Sequence, residues 1–318
     1  MIDVGVIGAG NHSSRNHGPA IERIAGRHED IVRAAVCDLD AERADRYATE
    51  FGFARTYTDI EAMLDREDID ALVAVTPQSR TAAIVADLLP QGIPLLLEKP
   101  PGQTSAETAE LVAIADDTGT DHMISLNRRF SPAVHRAGAW IDEGGREPQH
   151  VVSTMRRVDR LEAGFLVETG IHLVDLQHAF LGRPAAVTSA TWHTRPTNGE
   201  AASARVEYAS GARGTITIIP DAGSVEERHE LVGPGWSLEI DVGGCSFAAF
   251  VDGELVTDWE HDEVPGYERN GALAETDAFL AAVRGDRSFA PDLRDGYGSM
   301  RLAEAIADGE TTKIEAVS

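Results

Sequence analysis

The sequence has few cysteines and no long apolar run, and each scarcity excludes a class of protein. Of its 318 residues, only Cys37 and Cys245 are cysteines, and they lie far apart without metal-ligand spacing. No disulfide and no metal site are therefore predicted, and a reducing cytoplasm is the expected location. No apolar run approaches the roughly 18 residues that span a bilayer. The start MIDVGVIGAG has an acid in place of a basic leader, which indicates a first strand and not a signal peptide.

Positive charge is also scarce. The chain has 28 lysines and arginines against 53 aspartates and glutamates, a formal net charge of −25. Such a surface repels phosphates, so nucleic acid and anionic membranes are not expected partners. A solvated acidic coat, of a kind suited to high salt, explains the charge and indicates little about a site.

The first 120 residues alternate apolar runs with amphipathic segments. Strands are predicted at 2–10, 31–38, 69–77, 93–100 and 121–127, and helices at 18–26, 40–52, 58–64, 79–92 and 104–119. Strands without polar alternation, separated by helices, are typical of a parallel sheet covered on both faces. We therefore predict an α/β chain whose residues 1–122 form a Rossmann-type dinucleotide-binding domain.

After a predicted helix near 131–143, short strands separated by turn residues dominate. They are predicted at 150–158, 185–195, 203–210, 212–220, 227–234, 236–242, 246–252 and 254–260, with helices at 169–182, 272–285 and 296–309. This pattern indicates a large, mostly antiparallel open sheet in an α+β domain. Residues 123–318 are the predicted domain for substrate binding and oligomerisation.

The first strand runs into a glycine turn, VIGAGNHS. Gly8 permits a tight turn, and Gly10 lets a pyrophosphate approach the backbone at the start of a helix. Asn11, His12 and Ser13 follow and are candidate cofactor contacts; a serine stands where a third glycine is usual. The alternative is a tight strand-to-helix turn without a ligand.

Asp38 ends the second predicted strand. A carboxylate there accepts hydrogen bonds from an adenosine ribose and repels a 2′-phosphate, which favours NAD over NADP. The alternative is that Asp38 only caps the next helix. Asp40 is the better cap, because it directly precedes the amphipathic run.

Lys99 is one of only two lysines, the other being Lys313, beside 26 arginines. It follows a predicted strand in IPLLLEKPPG, at the edge where open α/β sheets bind ligands. A lysine can release its proton and an arginine cannot, so Lys99 is a candidate catalytic, cofactor-binding and substrate-binding residue, which Glu98 could orient. The alternative is an exposed lysine at a strand end.

A second chemical candidate is the stretch FLVETGIHLVDLQHAF. Glu168, His172 and Asp175 are spaced by four and three residues, which places helical residues on one face. An imidazole is a suitable proton acceptor for an alcohol that is being oxidised. Asp175 could hold its tautomer, bind substrate or pair elsewhere. The alternative for His172 is a structural histidine on an amphipathic helix.

Several motifs, in this order, resemble the glucose–fructose oxidoreductase/inositol dehydrogenase (Gfo/Idh/MocA) family over essentially the whole length. They are VIGAG at 6–10, AVTP at 74–77, EKP at 98–100, NRRFSPAV at 127–134 and TGIHLVDL at 169–176. The resemblance implies an NAD(P)-binding Rossmann domain and a C-terminal domain whose open sheet forms dimers or tetramers. It also implies a sugar, sugar-derivative or polyol substrate.

By this resemblance, Lys99 and His172 match the family's lysine and catalytic histidine, and Thr76 and Pro77 match a turn near the nicotinamide. Arg128 lies at the domain junction. The chain departs from the family pattern at three points. Glu168 stands where an aspartate is common, the segment after Pro77 reads QSRT without the usual histidine, and the third glycine is absent.

The expected function is hydride transfer between NAD and a secondary hydroxyl of a sugar or cyclic polyol. Two alternatives remain open, namely an enzyme that retains NAD and uses transient redox, and a non-catalytic dinucleotide-binding regulator. Arg128 and Arg156 are candidate substrate contacts; Arg157 and Trp192 are further candidates, with ordinary sheet-face roles as the alternative. A homodimer or homotetramer is expected.

Overall fold

The computed structural model describes residues 1–195, 198–261, 263–309 and 311–314. The chain forms two compact units, which are described separately. The first contains Met1–Asn127 and Pro265–Gly296, and the second contains Arg128–Val264 and Tyr297–Ser318. Residues 265–296 therefore pack with the first unit, although their position in the chain placed them in the predicted domain 123–318. That functional division stays a prediction, and its last four residues lie outside the described ranges.

The first unit is built on a six-stranded parallel sheet. Its strands are β1 (Ile2–Ile7), β2 (Ile31–Cys37), β3 (Arg55–Tyr57), β4 (Ala71–Ala74), β5 (Leu95–Glu98) and β6 (His122–Ser125). Their order is β3-β2-β1-β4-β5-β6, so the chain leaves β1 in one direction to β2 and resumes on its other side at β4. This order confirms the predicted doubly wound domain. The short β3 was not predicted, because its residues form no apolar run.

Helices flank this sheet, and α3 begins at its predicted cap, Asp40. They are α1 (Asn11–Arg15), α2 (His17–Ala25), α3 (Ala41–Phe51), α4 (Ile60–Leu64), α5 (Gln78–Leu88) and α6 (Ser105–Thr118), with α10 (Gly266–Arg269) and α11 (Ala272–Val283) from the later segment. The Asp40 side chain accepts a hydrogen bond from the Arg43 N–H, and Thr104 does the same for Glu107. Each cap satisfies one backbone donor that the first helical turn leaves open.

The second unit is built on a nine-stranded sheet. Its strands are β7 (His150–Arg156), β8 (Pro184–Arg195), β9 (Asn198–Tyr208), β10 (Arg213–Ile219), β11 (Glu226–Gly233), β12 (Trp236–Asp241), β13 (Ser246–Val251), β14 (Glu254–Glu260) and β15 (Thr311–Lys313). The order is β14-β13-β12-β11-β7-β10-β9-β8-β15. Only the β7–β10 pair among these is parallel, which confirms the predicted mostly antiparallel sheet.

One apolar core joins this sheet to its helices. The helices of the second unit are α7 (Pro132–Glu143), α8 (Phe165–Glu168), α9 (Ile171–Leu181) and α12 (Leu293–Ala307), within which the chain passes from the first unit to the second. Leu173 and Leu176 of α9 are fully buried, as are Ile216 and Leu231 of the sheet. Burying one such side chain stabilises the folded state by about 1.5–3 kcal/mol. Within the described ranges, no helix combines the length and the hydropathy that a membrane span needs.

Candidate active site

The glycine turn after β1 is closed on one side and open on the other. Gly8 has φ +95°, and a Cβ on it would lie 2.0 Å from the Val75 carbonyl oxygen, so a glycine is required there. Gly10 precedes α1, and a Cβ on it would meet no atom within 4 Å. The space beside Gly10 therefore leaves the backbone accessible to a ligand.

Three predicted cofactor contacts follow in α1. Asn11 and His12 are exposed, whereas Ser13 is fully buried and its hydroxyl donates to the Tyr47 hydroxyl at 3.0 Å. The Ser13 side chain therefore packs α1 against α3, and only its backbone is left for a ligand contact.

Asp38 is fixed at the glycine turn by both carboxylate oxygens. Its Oδ2 accepts a hydrogen bond from the Ala9 N–H at 2.8 Å. Its Oδ1 accepts from the Asp40 N–H at 2.9 Å and from Arg43 Nε at 3.1 Å. Asp40, not Asp38, caps α3. Asp38 thus has a position that helix capping does not explain, and its partner Arg43 is a residue that the sequence analysis missed.

Thr76 and Pro77 lie beside the glycine turn in the sheet. They follow β4, which is paired with β1, and the Val75 N–H donates to the Ile7 carbonyl at 2.7 Å. The Thr76 hydroxyl is 3.0 Å from the Thr81 hydroxyl, and Pro77 precedes α5. The turn is therefore held at the carboxyl edge of the sheet.

Glu98 and Lys99 stand at the same edge, at the end of β5. The half-buried Lys99 follows the buried Glu98, whose Oε2 accepts a hydrogen bond from the Lys99 backbone N–H at 3.1 Å. The Lys99–Pro100 peptide bond is cis. The hydrogen bond to Glu98 fixes the backbone of Lys99 at the end of β5.

The other Glu98 oxygen faces two histidines. Oε1 lies 2.9 Å from His12 Nε2 and 2.8 Å from His17 Nε2. Burial alone would raise the pKa of the Glu98 carboxyl, but the charge and hydrogen bond of His12, with those of His17, hold that pKa well below its usual range. His17 was missed in the sequence analysis, where its spacing of five residues from His12 was the available signal.

His172 and Asp175 belong to the second unit, on α9. Both are buried. Asp175 accepts two hydrogen bonds from Arg129, from Nε at 2.9 Å and from Nη2 at 2.7 Å, and a third from the Ser299 hydroxyl at 2.8 Å. The sequence left three roles open for Asp175: holding the His172 tautomer, binding substrate, or pairing with another residue. The contacts observed are of the third kind, with Arg129 and Ser299.

Glu168 does not share a continuous helix with His172. It is the last residue of the four-residue helix α8, and α9 begins anew after Gly170. The spacing of four residues therefore does not by itself place the Glu168 carboxylate on the face of α9 that carries His172, as the sequence analysis expected.

The predicted substrate arginines have carboxylate partners in the same unit. Arg128 Nε donates to the buried Glu227 Oε1 at 2.8 Å, and Arg157 pairs with the other oxygen of Glu227. Arg156 is more exposed and lies 3.2 Å from Glu226. Burial would raise the pKa of Glu227, but the charges of Arg128 and Arg157 lower it to about 2. The two partly buried guanidinium groups thus share one carboxylate, which offsets one of their two positive charges.

The structure therefore gathers the predicted cofactor residues at one edge of the first sheet. Gly8, Asp38, Thr76 and Lys99 follow β1, β2, β4 and β5, which are neighbouring parallel strands. Lys99 belongs to the first unit and His172 to the second. Their pairing stays a prediction.

Comparison with known proteins gives matches over nearly the whole chain. Residues 2–125 match the GFO_IDH_MocA model, described as an oxidoreductase family with an NAD-binding Rossmann fold. Residues 146–312 match the C-terminal alpha/beta domain of the same oxidoreductase family.

Individual relatives are distant in sequence. D-xylose 1-dehydrogenase (NADP(+)) 2 of Haloferax volcanii is 26% identical, covering 97% of this chain and 97% of that protein. Inositol 2-dehydrogenase 2 of Saccharopolyspora erythraea is 25% identical, covering 99% and 96%. A structure of levoglucosan dehydrogenase with NADH and L-sorbose superimposes with a TM-score of 0.86 at 20% identity, covering 99% of both chains, which shows a shared fold.

Proposed function

Because the chain belongs to the Gfo/Idh/MocA family of NAD-binding oxidoreductases, we propose that it transfers a hydride between NAD and a secondary hydroxyl of a sugar, sugar derivative or cyclic polyol. The observation that carries the proposal is the position of Asp38 and Lys99 at the same edge of the first sheet, on opposite sides of the Gly8 turn. Open α/β sheets bind dinucleotides at this edge, where the strand order reverses.

The residues at this edge fit NAD. The open side of Gly10 leaves room for a pyrophosphate, and the Asp38 carboxylate lies at the turn where a ribose would hydrogen-bond. A carboxylate there repels a 2′-phosphate, which favours NAD. When bound, NAD supplies the hydride acceptor for the oxidation.

Lys99 and His172 are the proposed proton-handling pair. In the oxidation, His172 accepts the proton of the substrate hydroxyl while the hydride leaves the same carbon. The Lys99 ammonium donates a hydrogen bond to that oxygen and stabilises its developing negative charge. Glu98 holds the Lys99 backbone, while the Glu227 pair leaves Arg128 and Arg157 with less free charge for an acidic substrate.

The substrate class follows from what the relatives are named for. D-xylose, levoglucosan and inositol are all polyhydroxylated ring compounds. We infer the same substrate class for this chain.

The nine-stranded sheet is the proposed contact between copies of the chain. Its strands β8, β11 and β14 carry large apolar side chains that are about half exposed, namely Trp192, Val232, Leu255 and Val256. Burying those on one face of the sheet against a second copy would remove apolar surface from water. Light scattering on the purified protein is expected to give a dimer or a tetramer.

The cytoplasmic location expected from the scarcity of cysteine also stays a prediction.

The direct test is an absorbance assay for NADH with purified protein, NAD and a panel of sugars, inositols and sugar acids, at low and high salt. Steady NADH formation with at least one member is expected. Protein that is isolated with tightly held NAD and turns over without releasing NADH would instead support transient redox. Binding of NADH without turnover across the panel would support a regulator.

A further inference from the structure

Two histidine side chains of the first unit converge on one oxygen of the Glu98 carboxylate, and we call the three residues the His12–His17–Glu98 cluster. His12 lies in α1, His17 begins α2 and Glu98 ends β5. Both imidazoles present Nε2 to Glu98 Oε1, and the three atoms lie within 4.8 Å of one another. His17 and Glu98 are buried, while the His12 side chain is 51% exposed. Within the described residues, this is the group of three histidine or acidic side chains with metal-ligand spacing.

The hydrogen-bond partners of His17 direct its Nε2 at the Glu98 carboxylate. Its Nδ1 is 3.5 Å from the Thr276 hydroxyl oxygen, and that hydroxyl donates its own proton to the Ala272 carbonyl at 2.8 Å. A hydrogen on His17 Nδ1 satisfies this contact, and Nε2 then faces a carboxylate oxygen 2.8 Å away. A proton lies between these two atoms when no metal is bound, and a metal ion can take its place.

We propose that the His12–His17–Glu98 cluster binds one divalent transition-metal ion of the Zn²⁺ or Co²⁺ type. Two imidazoles and one carboxylate are a ligand set that Zn²⁺ favours, whereas Mg²⁺ and Ca²⁺ prefer oxygen ligands. The site holds three protein ligands and a water in the fourth position, on the exposed side of His12.

Metal binding requires each contact to Glu98 to lengthen slightly, while the ligand atoms of all three residues already lie within 4.8 Å of one another. Tetrahedral Zn²⁺ with bonds of about 2.0–2.2 Å separates its ligand atoms by about 3.3 Å. The present separations from Glu98 Oε1 are 2.9 and 2.8 Å. His12 is the ligand that adjusts, because it is half exposed and lies on a helix of five residues. The ion would fasten α1, which follows the glycine turn, to the strand end that carries Lys99.

The test is metal binding by the full chain without NAD or substrate, because His12 is also a predicted cofactor contact. Chelator-treated protein is titrated with Co²⁺ alone. One equivalent is expected to bind and to give the visible absorption bands of tetrahedral Co²⁺, which Zn²⁺ then abolishes. Saturating Zn²⁺ is expected to raise the unfolding temperature, since an ion that binds only the folded state stabilises it. Mg²⁺ at the same concentration is expected to give no shift.

Matched variants locate the ion. His12→Asn removes a half-exposed ligand and is expected to lose the Co²⁺ bands and the thermal shift, whereas His28→Asn, at an exposed histidine of the same unit, keeps both. The X-ray absorption spectrum of the Zn²⁺-loaded wild type is expected to show two imidazole ligands per ion. This measurement does not depend on any variant folding correctly. No saturable binding, equal binding by His12→Asn and wild type, or a spectrum without imidazole would overturn the proposal. Because no reading uses hydride transfer, these outcomes leave the proposed function untouched.

Discussion

The Asp38 carboxylate accepts a hydrogen bond from the Ala9 N–H at 2.8 Å, which joins the end of β2 to the glycine turn after β1. This contact holds the carboxylate beside the place where the backbone is open, at Gly10. An acid in this position both attracts ribose hydroxyls and repels a phosphate on the same ribose. We therefore expect the choice between NAD and NADP to depend on this one local arrangement.

The first prediction concerns that choice. Asp38→Ser is expected to reduce the preference for NADH over NADPH by about tenfold or more, because a charged hydrogen-bond acceptor is lost and Arg43 is released from it. Fluorescence titration of both dinucleotides measures the ratio. Asp59→Ser, which replaces the N-cap residue of α4 by another capping residue, is the control and is expected to keep the wild-type ratio. If the ratio in Asp38→Ser is also unchanged, the assignment of the ribose contact is wrong.

The second prediction separates the two glycines of the turn. Gly8→Ala is expected to destabilise the protein by about 2 kcal/mol or more, because the positive φ and the Val75 carbonyl both oppose a Cβ. The Cβ of Gly10→Ala would meet no protein atom within 4 Å, so the unfolding temperature of this variant is expected to stay near that of the wild type. Its affinity for NADH is expected to fall, because the Cβ occupies the space proposed for the pyrophosphate. Thermal unfolding and NADH titration test both. Unaltered NADH affinity in Gly10→Ala would place the pyrophosphate elsewhere.

The third prediction uses the scarcity of lysine. Lys99→Met is expected to keep NADH affinity and to lower kcat by about 10²-fold or more, because the group that stabilises the developing oxyanion is gone. Lys313→Met changes the chain's other lysine, an exposed residue of β15, and is expected to keep full turnover. Binding and initial rates are measured on the same preparations. Equal kcat in the two variants would remove Lys99 from the mechanism.

The fourth prediction concerns the proton acceptor. A histidine base loses activity as it becomes protonated, ordinarily below about pH 6.5. His172→Asn is expected to lower kcat and to flatten the fall in rate below neutrality. His193→Asn, at an exposed histidine of β8, is expected to keep the wild-type profile. An unaltered profile in His172→Asn would speak against a base at this position.

Local sequence patterns predicted most of the fold and, within the candidate site, the glycine turn and Asp38. Apolar runs located five of the six strands of the first unit, and Asp40 was identified as a cap because a cap acts within three residues of itself. The glycine turn and Asp38 were found for the same reason, since their signals lie within a strand and the turn that follows it.

Contacts between residues that are distant in the chain left no such signal. The pairing of Arg129 with Asp175 and the approach of His17 to Glu98 join separate elements. Alternation along a strand indicates which face a residue occupies, but not what packs there. Glu227 illustrates this, because in the charged run EERHE it resembles a surface residue, whereas it is buried between two arginines.

The fifth prediction follows from that burial. The pKa of Glu227 is about 2 in the folded protein against an ordinary value of 4.5. A lowered carboxyl pKa stabilises the fold above pH 4.5, and this contribution is lost as the pH falls from there toward 2. Glu227→Gln is therefore expected to lower the free energy of unfolding at pH 7 by about 3 kcal/mol, and the deficit is expected to shrink between pH 5 and pH 3.

Urea unfolding monitored by tryptophan fluorescence suits this test, because all four tryptophans lie in the second unit with Glu227. Glu230→Gln, at an exposed position of the same strand, is the control and is expected to stay within about 0.5 kcal/mol of the wild type throughout. A Glu227→Gln deficit that stays constant down to pH 3 would mean that packing, and not the charge between Arg128 and Arg157, is what the carboxylate contributes.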